Sequence, residues 1–302
     1  MMNDTSSLPR GPVIPPAAVP CPLCGGDEPR MLYRSDAPFM RVVRCERCRM
    51  MYQSPRIPET AMEDAYESLE EYRHYASLEQ AKRKLFAWKL REIQRERELP
   101  EAGAFLDIGA SRGVMLDVLR AELPNWRLAG VEVSPSQRSA LAARGYETLE
   151  SIQALDARMK FDWINLDNVL EHMPEPLEVL VRLRGHLNPG GFIYVDVPNE
   201  SFFGVRYRIN DLVRGFSKPP TFPGHINLFT SHTLKSLIAA AGYRHESFRF
   251  VSLSEPYRLE GGVGGVETPR VRTALQMLRA TRLDTALHLA YFLCARIEPL
   301  VN

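Results

Sequence analysis

FLDIGASRGVML, residues 105–116, is the most informative stretch of the sequence for the fold. Its apolar run ends on a glycine, and the residues that follow have the pattern of a helix. A strand, a glycine-bearing loop and a helix in this order form the segment with which open α/β sheets hold nucleotides. The loop has neither the G-x-G-x-x-G pattern of dinucleotide sites nor the Gly-Lys-Ser/Thr ending of a P-loop. It has Asp107, Gly109 and Gly113 in the pattern D-x-G-x-x-x-G. The stretch therefore predicts a nucleotide-type ligand that neither of those loops binds.

Strands and helices alternate along the chain after this loop. The apolar runs AFLDIG, RLAGVEV, FDWINLD and FIYVDV predict strands, and SPSQRSALAARG and PEPLEVLVRLRGHL predict helices between them. This alternation is typical of a parallel sheet with helices on both faces. We therefore predict an α/β fold with a doubly wound, mostly parallel sheet.

Composition limits the class of protein. The chain has 302 residues, 45% of them hydrophobic, and a net charge of +1, which gives no overall electrostatic footprint for DNA or RNA. No apolar run reaches the roughly 18 residues that a spanning helix needs. The N-terminus lacks the basic and then apolar layout of a secretory signal. We expect a cytoplasmic protein without a transmembrane segment.

Four of the five cysteines form two pairs, CPLC and CERC, with twenty residues between them. Cys21, Cys24, Cys45 and Cys48 have the spacing of a four-cysteine zinc ribbon, in which each knuckle supplies two thiolates. Such a segment is too small to bury a core, so a bound Zn²⁺ supplies its folding energy. Reduced cysteines without a metal are the alternative.

Two acidic residues indicate what the glycine loop binds. Asp107 lies at the tip of the first strand, where a carboxylate suits an ammonium group, and Glu132 ends the next strand in GVEVSP, where it can accept both hydroxyls of a ribose. A ribose site alone is shared with NAD enzymes. An amino-acid ammonium together with a ribose describes S-adenosylmethionine.

Four segments resemble the class I S-adenosylmethionine-dependent methyltransferases, which have a Rossmann-like fold. They are LDIGASRG, GVEVSP, FDWINLDNVLEHMPEPLEVLVRLRGHLNPGGFIYVDVPN and GHINLFTSHTLKSLIAAAGY, within residues 104–253. The chain departs from this family at Ser111, where a glycine is usual. The family's closing antiparallel hairpin is also not obvious after residue 253. The cysteine segment is similar to the N-terminal zinc unit of some bacterial methyltransferases of sugars and other small molecules.

The resemblance implies a set of cofactor-binding residues. They are Asp107, Gly109, Ser111, Gly113, Glu132, Val133, Asp167 and Asn168. The last two end the fourth strand of the fold and lie, by this likeness, beside the reacting methyl group.

Three of the seven histidines are candidates for chemistry. His225 ends an insertion over 198–224 and is the better candidate for a base if the acceptor is a hydroxyl. His172, in LEHMPEP, follows the fourth strand and is expected to shape the cofactor pocket more than to move a proton. His186 is expected on the surface. For each histidine, a purely structural role is the alternative.

The expected organisation has five parts. They are a disordered leader over 1–20, a zinc ribbon over 21–58, a helical linker over 59–100, a cofactor-binding domain over 101–255 that contains the insertion 198–224, and a helical extension over 256–302. The insertion combines aromatic and basic side chains, which suit a sugar or a phosphate-bearing acceptor. The apolar end of the extension suits a packing helix, a homodimer contact or a membrane-surface segment.

The sequence as a whole predicts a methyltransferase that uses S-adenosylmethionine and carries Zn²⁺. Its expected acceptor is a hydroxyl of a sugar or another small natural product. An RNA or protein methyltransferase is the first alternative, although the basic residues of the cysteine segment have few aromatic neighbours for stacking bases. An inactive binding protein with the same fold is the second.

Overall fold

A computed structural model describes residues 18–34, 41–56, 79–201, 203, 224–252, 273, 277 and 290–300. These residues fall into two units. The cysteine unit comprises the described residues within Met1–Ser77 and Phe202–Leu228. The sheet unit comprises those within Leu78–Ser201 and Phe229–Asn302.

The cysteine unit is built on a four-stranded antiparallel sheet. Its strands are β1 (Pro29–Arg34), β2 (Arg41–Cys45), β3 (Met51–Gln53) and β9 (Asn227–Leu228), in the order β1-β2-β3-β9. A small apolar cluster covers this sheet and consists of Tyr33, Val42, Met51, Phe203 and Leu228. Phe203 lies in the insertion 198–224, which was expected to belong to the cofactor-binding domain. The structure instead packs this residue in the cysteine unit.

The sheet unit contains seven strands and five helices among its described residues. The strands are β4 (Ala104–Ile108), β5 (Arg127–Val131), β6 (Glu147–Leu149), β7 (Phe161–Asp167), β8 (Leu187–Pro198), β10 (Tyr243–Ser252) and β11 (Ala290–Pro299). The helices are α1 (Glu79–Glu96), α2 (Val114–Glu122), α3 (Pro135–Ala143), α4 (Pro176–Arg184) and α5 (Ser231–Ala240). The strand order is β10-β11-β8-β7-β4-β5-β6, with β11 antiparallel to both of its neighbours.

Strand order reverses at β4, which confirms the doubly wound sheet. The chain runs from β4 to β5 on one side and later to β7 on the other, and both pairs are parallel. The central strands are buried on both faces. The rings of Phe105, Trp163 and Phe192 pack together there, with centroid distances of 4.8 and 5.5 Å along the row. The carboxyl ends of β4 and β7 therefore form the edge where such a sheet binds its ligand.

Local signals placed the helix boundaries well. Ser134 precedes α3 with Pro135 at its first position, and Gly145 has a φ of 80° just after the end of the helix. Thr230 and Thr233 form a reciprocal capping box at the start of α5. Between β6 and β7 lies a short 3₁₀ turn, Ile152–Ala154.

The structure corrects the prediction for the C-terminal segment. The prediction of a helical extension over 256–302 is wrong for Ala290–Pro299, which is strand β11 and lies between β8 and β10. With β10 it forms the closing antiparallel pair that the sequence did not reveal. Pairing with β8 and β10 buries the apolar side chains Ala295 and Ile297. No helix among the described residues is long and apolar enough to cross a membrane.

Candidate active site

The loop after β4 has the backbone that its glycines predict. Gly109 and Gly113 have φ values of 73° and 72°, in the left-handed region that favours glycine. Gly113 is also crowded, because a Cβ atom there would lie 2.4 Å from Cδ2 of Leu141. The loop therefore turns tightly against α3 before α2 begins.

Ser111 adopts the same left-handed conformation, with a φ of 48°. Its N–H donates to Oε2 of Glu132 at 2.7 Å, and its hydroxyl donates to Oε1 of Gln137 at 3.1 Å. Where the family usually has glycine, this chain thus has a serine that links the loop to the end of β5 and to α3.

Glu132 follows β5 and is buried. Its second oxygen, Oε1, accepts a hydrogen bond from the N–H of Ser134 at 2.9 Å. Burial raises the pKa of this carboxyl, and the two backbone N–H groups act in the opposite direction. The carboxylate is therefore fixed in one orientation at the end of β5, and each of its oxygens keeps a lone pair for a ligand hydroxyl.

Asp107 lies within β4 and is only 5% exposed. Its Oδ1 accepts a hydrogen bond from Nδ2 of Asn165 on β7 at 2.8 Å. Burial raises the pKa of Asp107 to about 7, and the charges of Asp167 and Glu132 add to the rise. A buried carboxyl with this pKa is only partly ionised at neutral pH, and a cationic group beside it would favour the ionised form.

Asp167 and Asn168 occupy the carboxyl end of β7, as predicted. Asn168 has a φ of 56°, its side-chain Nδ2 donates to Oδ1 of Asp167 at 2.8 Å, and its N–H donates to the carbonyl of Asp196 at 2.8 Å. Asp107, Glu132, Asp167 and the loop thus lie at the carboxyl ends of β4, β5 and β7. The exposed side chain of Val133 follows Glu132.

The two catalytic candidates lie in different units. His172 belongs to the sheet unit, in the segment between β7 and α4, and its Nε2 lies 3.9 Å from Oε1 of Glu171. His225 belongs to the cysteine unit, where its carbonyl accepts a hydrogen bond from Nε2 of Gln53 at 3.0 Å. The roles proposed for these two side chains stay predictions.

His186 corrects an expectation. It is buried, and its Nδ1 lies 3.0 Å from the carbonyl oxygen of Met159. The expectation that it lies on the surface is wrong, because the turn between α4 and β8 packs it against the segment before β7. Its role is structural.

The four paired cysteines come together in the cysteine unit. The Sγ atoms of Cys21 and Cys48 are 3.4 Å apart, those of Cys24 and Cys45 are 3.5 Å apart, and all four lie within 4.8 Å of one another. None of them forms a disulfide. Four thiolates at about 2.3 Å from a tetrahedral Zn²⁺ have sulfurs roughly 3.8 Å apart, so the cluster has the dimensions of such a site.

The carboxyl ends of β4, β5 and β7 form one edge of the sheet, which we call the cofactor edge. Three buried charged residues near this edge were not identified from the sequence. Lys89 on α1 contacts the carboxylates of Asp167 and Asp196, and Asp196 lies within the apolar run of β8. Glu171 is 1% exposed, neither of its carboxylate oxygens has a hydrogen-bond partner among the described residues, and burial raises its pKa well above the usual range. A charged residue inside an apolar pattern was the available signal for each of the three.

Comparison with known proteins agrees with this geometry. Residues 72–247 match the protein family described as the methyltransferase domain. The ubiquinone biosynthesis O-methyltransferase of Albidiferax ferrireducens is 30% identical over 133 residues, which cover 38% of this chain and 52% of that protein. The match thus spans about half the length of that curated relative.

Two solved structures share the fold. The plantazolicin methyltransferase BpumL in complex with SAH aligns with a TM-score of 0.52 and 16% identity, over 78% of this chain and 93% of that one. A complex of the Haloferax volcanii Trm112 methyltransferase activator with a methyltransferase gives a TM-score of 0.51 and 16% identity, over 77% and 97%. Because the family match covers more than half of the chain, the chain belongs to the methyltransferase domain family.

Proposed function

We propose that this chain is an S-adenosylmethionine-dependent methyltransferase that acts on a hydroxyl group of a small molecule, a sugar or another natural product. The observation that carries the cofactor side of the proposal is the pair of buried acids, Asp107 and Glu132, at the ends of adjacent strands on either side of a left-handed loop. When bound, S-adenosylmethionine supplies a methyl group on a positively charged sulfur. The 30% identical relative is an O-methyltransferase, which supports an oxygen as the acceptor atom.

The cofactor edge fits that ligand in charge and shape. Asp107 would hold the ammonium group and Glu132 the ribose hydroxyls, while Gly109, Ser111 and Gly113 let the backbone approach closely. Val133, Asp167 and Asn168 would line the rest of the site. The left-handed loop leaves no room for larger side chains at Gly113, where Leu141 is already in contact range.

A hydroxyl acceptor needs a base, because its pKa is far above neutral and it must lose a proton as it takes the methyl group. We assign this role to His225, at the end of the 198–224 insertion, and a cofactor-shaping role to His172. An imidazole titrates near neutral pH, which suits a general base.

We also propose one Zn²⁺ at Cys21, Cys24, Cys45 and Cys48. The four Sγ atoms fit a tetrahedral thiolate site in both distance and number. The metal would stabilise the small cysteine unit by joining its two cysteine pairs, which are separated by twenty residues in the chain.

Cofactor binding by the two acids can be tested by isothermal titration calorimetry on Glu132→Ala and Asp107→Ala. Loss of one charge-assisted contact is expected to cost about 1.5–3 kcal/mol, or roughly ten- to a hundredfold in Kd for S-adenosylmethionine. Glu147→Ala is the matched control, because Glu147 lies on the neighbouring strand β6 in an exposed ion pair with Arg127. Unchanged binding in both acid variants would contradict the assignment.

The acceptor can be found with a labelled methyl group. A pool of small-molecule hydroxyl compounds is incubated with the protein and labelled S-adenosylmethionine, and the products are identified by mass spectrometry. Label on an oxygen of a sugar or natural product is the expected result. Label on RNA or protein, offered in parallel, and on no small molecule would contradict the proposal.

A further inference from the structure

Lys89 is a buried cation between apolar side chains of α1. It lies four residues after Leu85 and four before Ile93, and both of these side chains are buried in the core. Residues at this spacing share one face of a helix. The side chain of Lys89 is 3% exposed, so its ammonium group has left bulk water and requires buried partners.

Its described partners are two carboxylates from neighbouring parallel strands. Nζ of Lys89 binds Oδ2 of Asp167, at the end of β7, and Oδ2 of Asp196, on β8. The rings of Phe86 and Tyr194 flank the ammonium group, with centroids 5.6 and 5.7 Å from Nζ. One lysine thus fixes the carboxyl ends of two strands, inside a shell that keeps water out.

Asp167 is the member of this group that reaches the cofactor edge. Its side chain is 13% exposed, whereas those of Lys89 and Asp196 are 3% exposed. Its other oxygen, Oδ1, accepts the hydrogen bond from Asn168, whose backbone is left-handed and whose N–H binds the carbonyl of Asp196. Strand β7 is adjacent to β4, so Asp167 lies where strand order reverses and the ligand binds.

We propose that Lys89 is a positioning residue for the cofactor: it holds the carboxylate of Asp167 in one orientation, so that this carboxylate faces the positively charged sulfur of S-adenosylmethionine. The proposal rests on the cofactor and not on the acceptor. Lys89 itself does not touch the ligand and acts through Asp167.

Removal of the lysine charge has a specific physical consequence. Asp167 and Asp196 both bind the same Nζ atom, so without it two carboxylates face each other in a buried place and repel. Rotation of Asp167 away from Asp196 relieves this repulsion. The carboxylate that faces the ligand then loses its fixed position.

A comparison of the two forms of the cofactor isolates this charge. S-adenosylmethionine carries a positive sulfur, whereas S-adenosylhomocysteine has a neutral thioether and is otherwise nearly the same. Isothermal titration calorimetry gives Kd for both ligands with wild type, Lys89→Met and Lys89→Arg. For Lys89→Met we expect Kd for S-adenosylmethionine to rise about tenfold and Kd for S-adenosylhomocysteine to change less than about threefold. Lys89→Arg keeps the charge and is expected to restore most of the difference.

Arg97→Met is the matched control. Arg97 follows the C-terminus of α1, eight residues after Lys89, and also ties the helix to the sheet, through Glu298 and the carbonyl of Gly190. We expect Arg97→Met to leave the ratio of the two Kd values unchanged. An equal shift of this ratio in Arg97→Met and Lys89→Met would show a general effect of helix docking and would overturn the proposal.

Two further outcomes decide the matter. If Lys89→Met does not fold, Asp167→Asn removes the negative charge that faces the ligand and keeps the shape of the side chain. This variant is expected to weaken binding of S-adenosylmethionine more than binding of S-adenosylhomocysteine. An unchanged ratio in the folded variant overturns the role of Lys89 and leaves the proposed O-methylation untouched. Failure of the wild type to bind either ligand would overturn both.

Discussion

The two units differ in what holds them together. In the sheet unit, seven strands bury a continuous row of large side chains such as Phe105, Trp163 and Phe192, and its buried charges collect at the carboxyl ends of the strands. In the cysteine unit, apolar side chains such as Val42 and Tyr52 are also buried, but the unit has fewer strands and holds four sulfurs within 4.8 Å of one another. We therefore expect apolar burial to stabilise the first unit, and apolar burial together with a metal to stabilise the second.

Removal of Zn²⁺ tests this difference between the units most directly and is expected to have the largest effect on stability. A structural zinc contributes about 10–16 kcal/mol of apparent binding energy, which in a unit of this size is folding energy. Elemental analysis is expected to give one zinc per chain, and a chelator or Cys45→Ser is expected to unfold the cysteine unit. Hydrogen exchange would report the loss of protection in β1–β3.

The sheet unit supplies the control for that experiment. Its β4 and β7 amides are expected to remain protected after chelation, because their burial involves no cysteine ligand. Well under one equivalent of zinc in an undamaged preparation would contradict the zinc site. Equal loss of protection in both units would contradict the contrast between them.

The second prediction compares one histidine from each unit. If His225 is the base, His225→Ala is expected to lower turnover about 10²–10⁴-fold on the true acceptor, the usual contribution of a positioned base. Its Kd for S-adenosylmethionine is expected to stay the same, because Asp107 and Glu132 remain. Steady-state kinetics and calorimetry measure the two effects separately.

His172→Ala is the companion variant from the sheet unit. If His172 shapes the cofactor pocket, its removal is expected to weaken cofactor binding as well as turnover. Near-normal turnover in His225→Ala would transfer the base role to another group, or indicate a nitrogen or carbon acceptor that needs no such base.

The sequence predicted the parts of the sheet unit that local patterns encode. The strands β4, β5, β7 and β8, the loop at Gly109 and Gly113, and the cap at Ser134 all follow from hydrophobic runs and turn residues. The β10–β11 pair did not follow, because its partners are far apart in the chain and strand pairing leaves no local signature. Lys89 was missed, and His186 was wrongly placed on the surface, for a related reason. A polar side chain is expected at the surface unless its buried partners are known.

The third prediction concerns the glycine loop, where two left-handed glycines provide a matched pair. Gly113 and Gly145 have φ values of 72° and 80°, but a Cβ atom at Gly113 would meet Leu141 at 2.4 Å, while one at Gly145 meets nothing within 4 Å. Gly145→Ala is expected to cost about 1 kcal/mol, from backbone strain alone. Gly113→Ala is expected to cost about 1–3 kcal/mol more, because the methyl group must displace a core side chain.

Thermal unfolding and calorimetry distinguish the two glycine variants. Only Gly113→Ala is expected to weaken S-adenosylmethionine binding, since Gly113 belongs to the loop between β4 and α2 and Gly145 follows α3. Equal loss of stability in both variants would mean that Leu141 moves aside without cost.

The smallest expected effect is the pH dependence of cofactor binding, which Asp107 sets. Burial holds its pKa at about 7 in the free protein, far above the ordinary value of 3.8. The ionised form of Asp107 is the one that binds an ammonium group. With this pKa, the ionised fraction rises from roughly one tenth at pH 6 to roughly nine tenths at pH 8. Because the apparent Kd is the intrinsic Kd divided by the competent fraction, ionisation of Asp107 alone is expected to raise the affinity for S-adenosylmethionine about tenfold over this range. An α-amino group titrates near pH 8, so loss of the ligand's ammonium proton opposes this rise and reduces it to about fivefold.

Calorimetry from pH 6 to pH 8 measures the acidic limb, and Asp107→Asn is expected to remove it because the amide does not titrate. An acidic limb that persists in Asp107→Asn would assign the titration to another group, and the candidate with the closest chemistry is Glu132, whose pKa burial also raises.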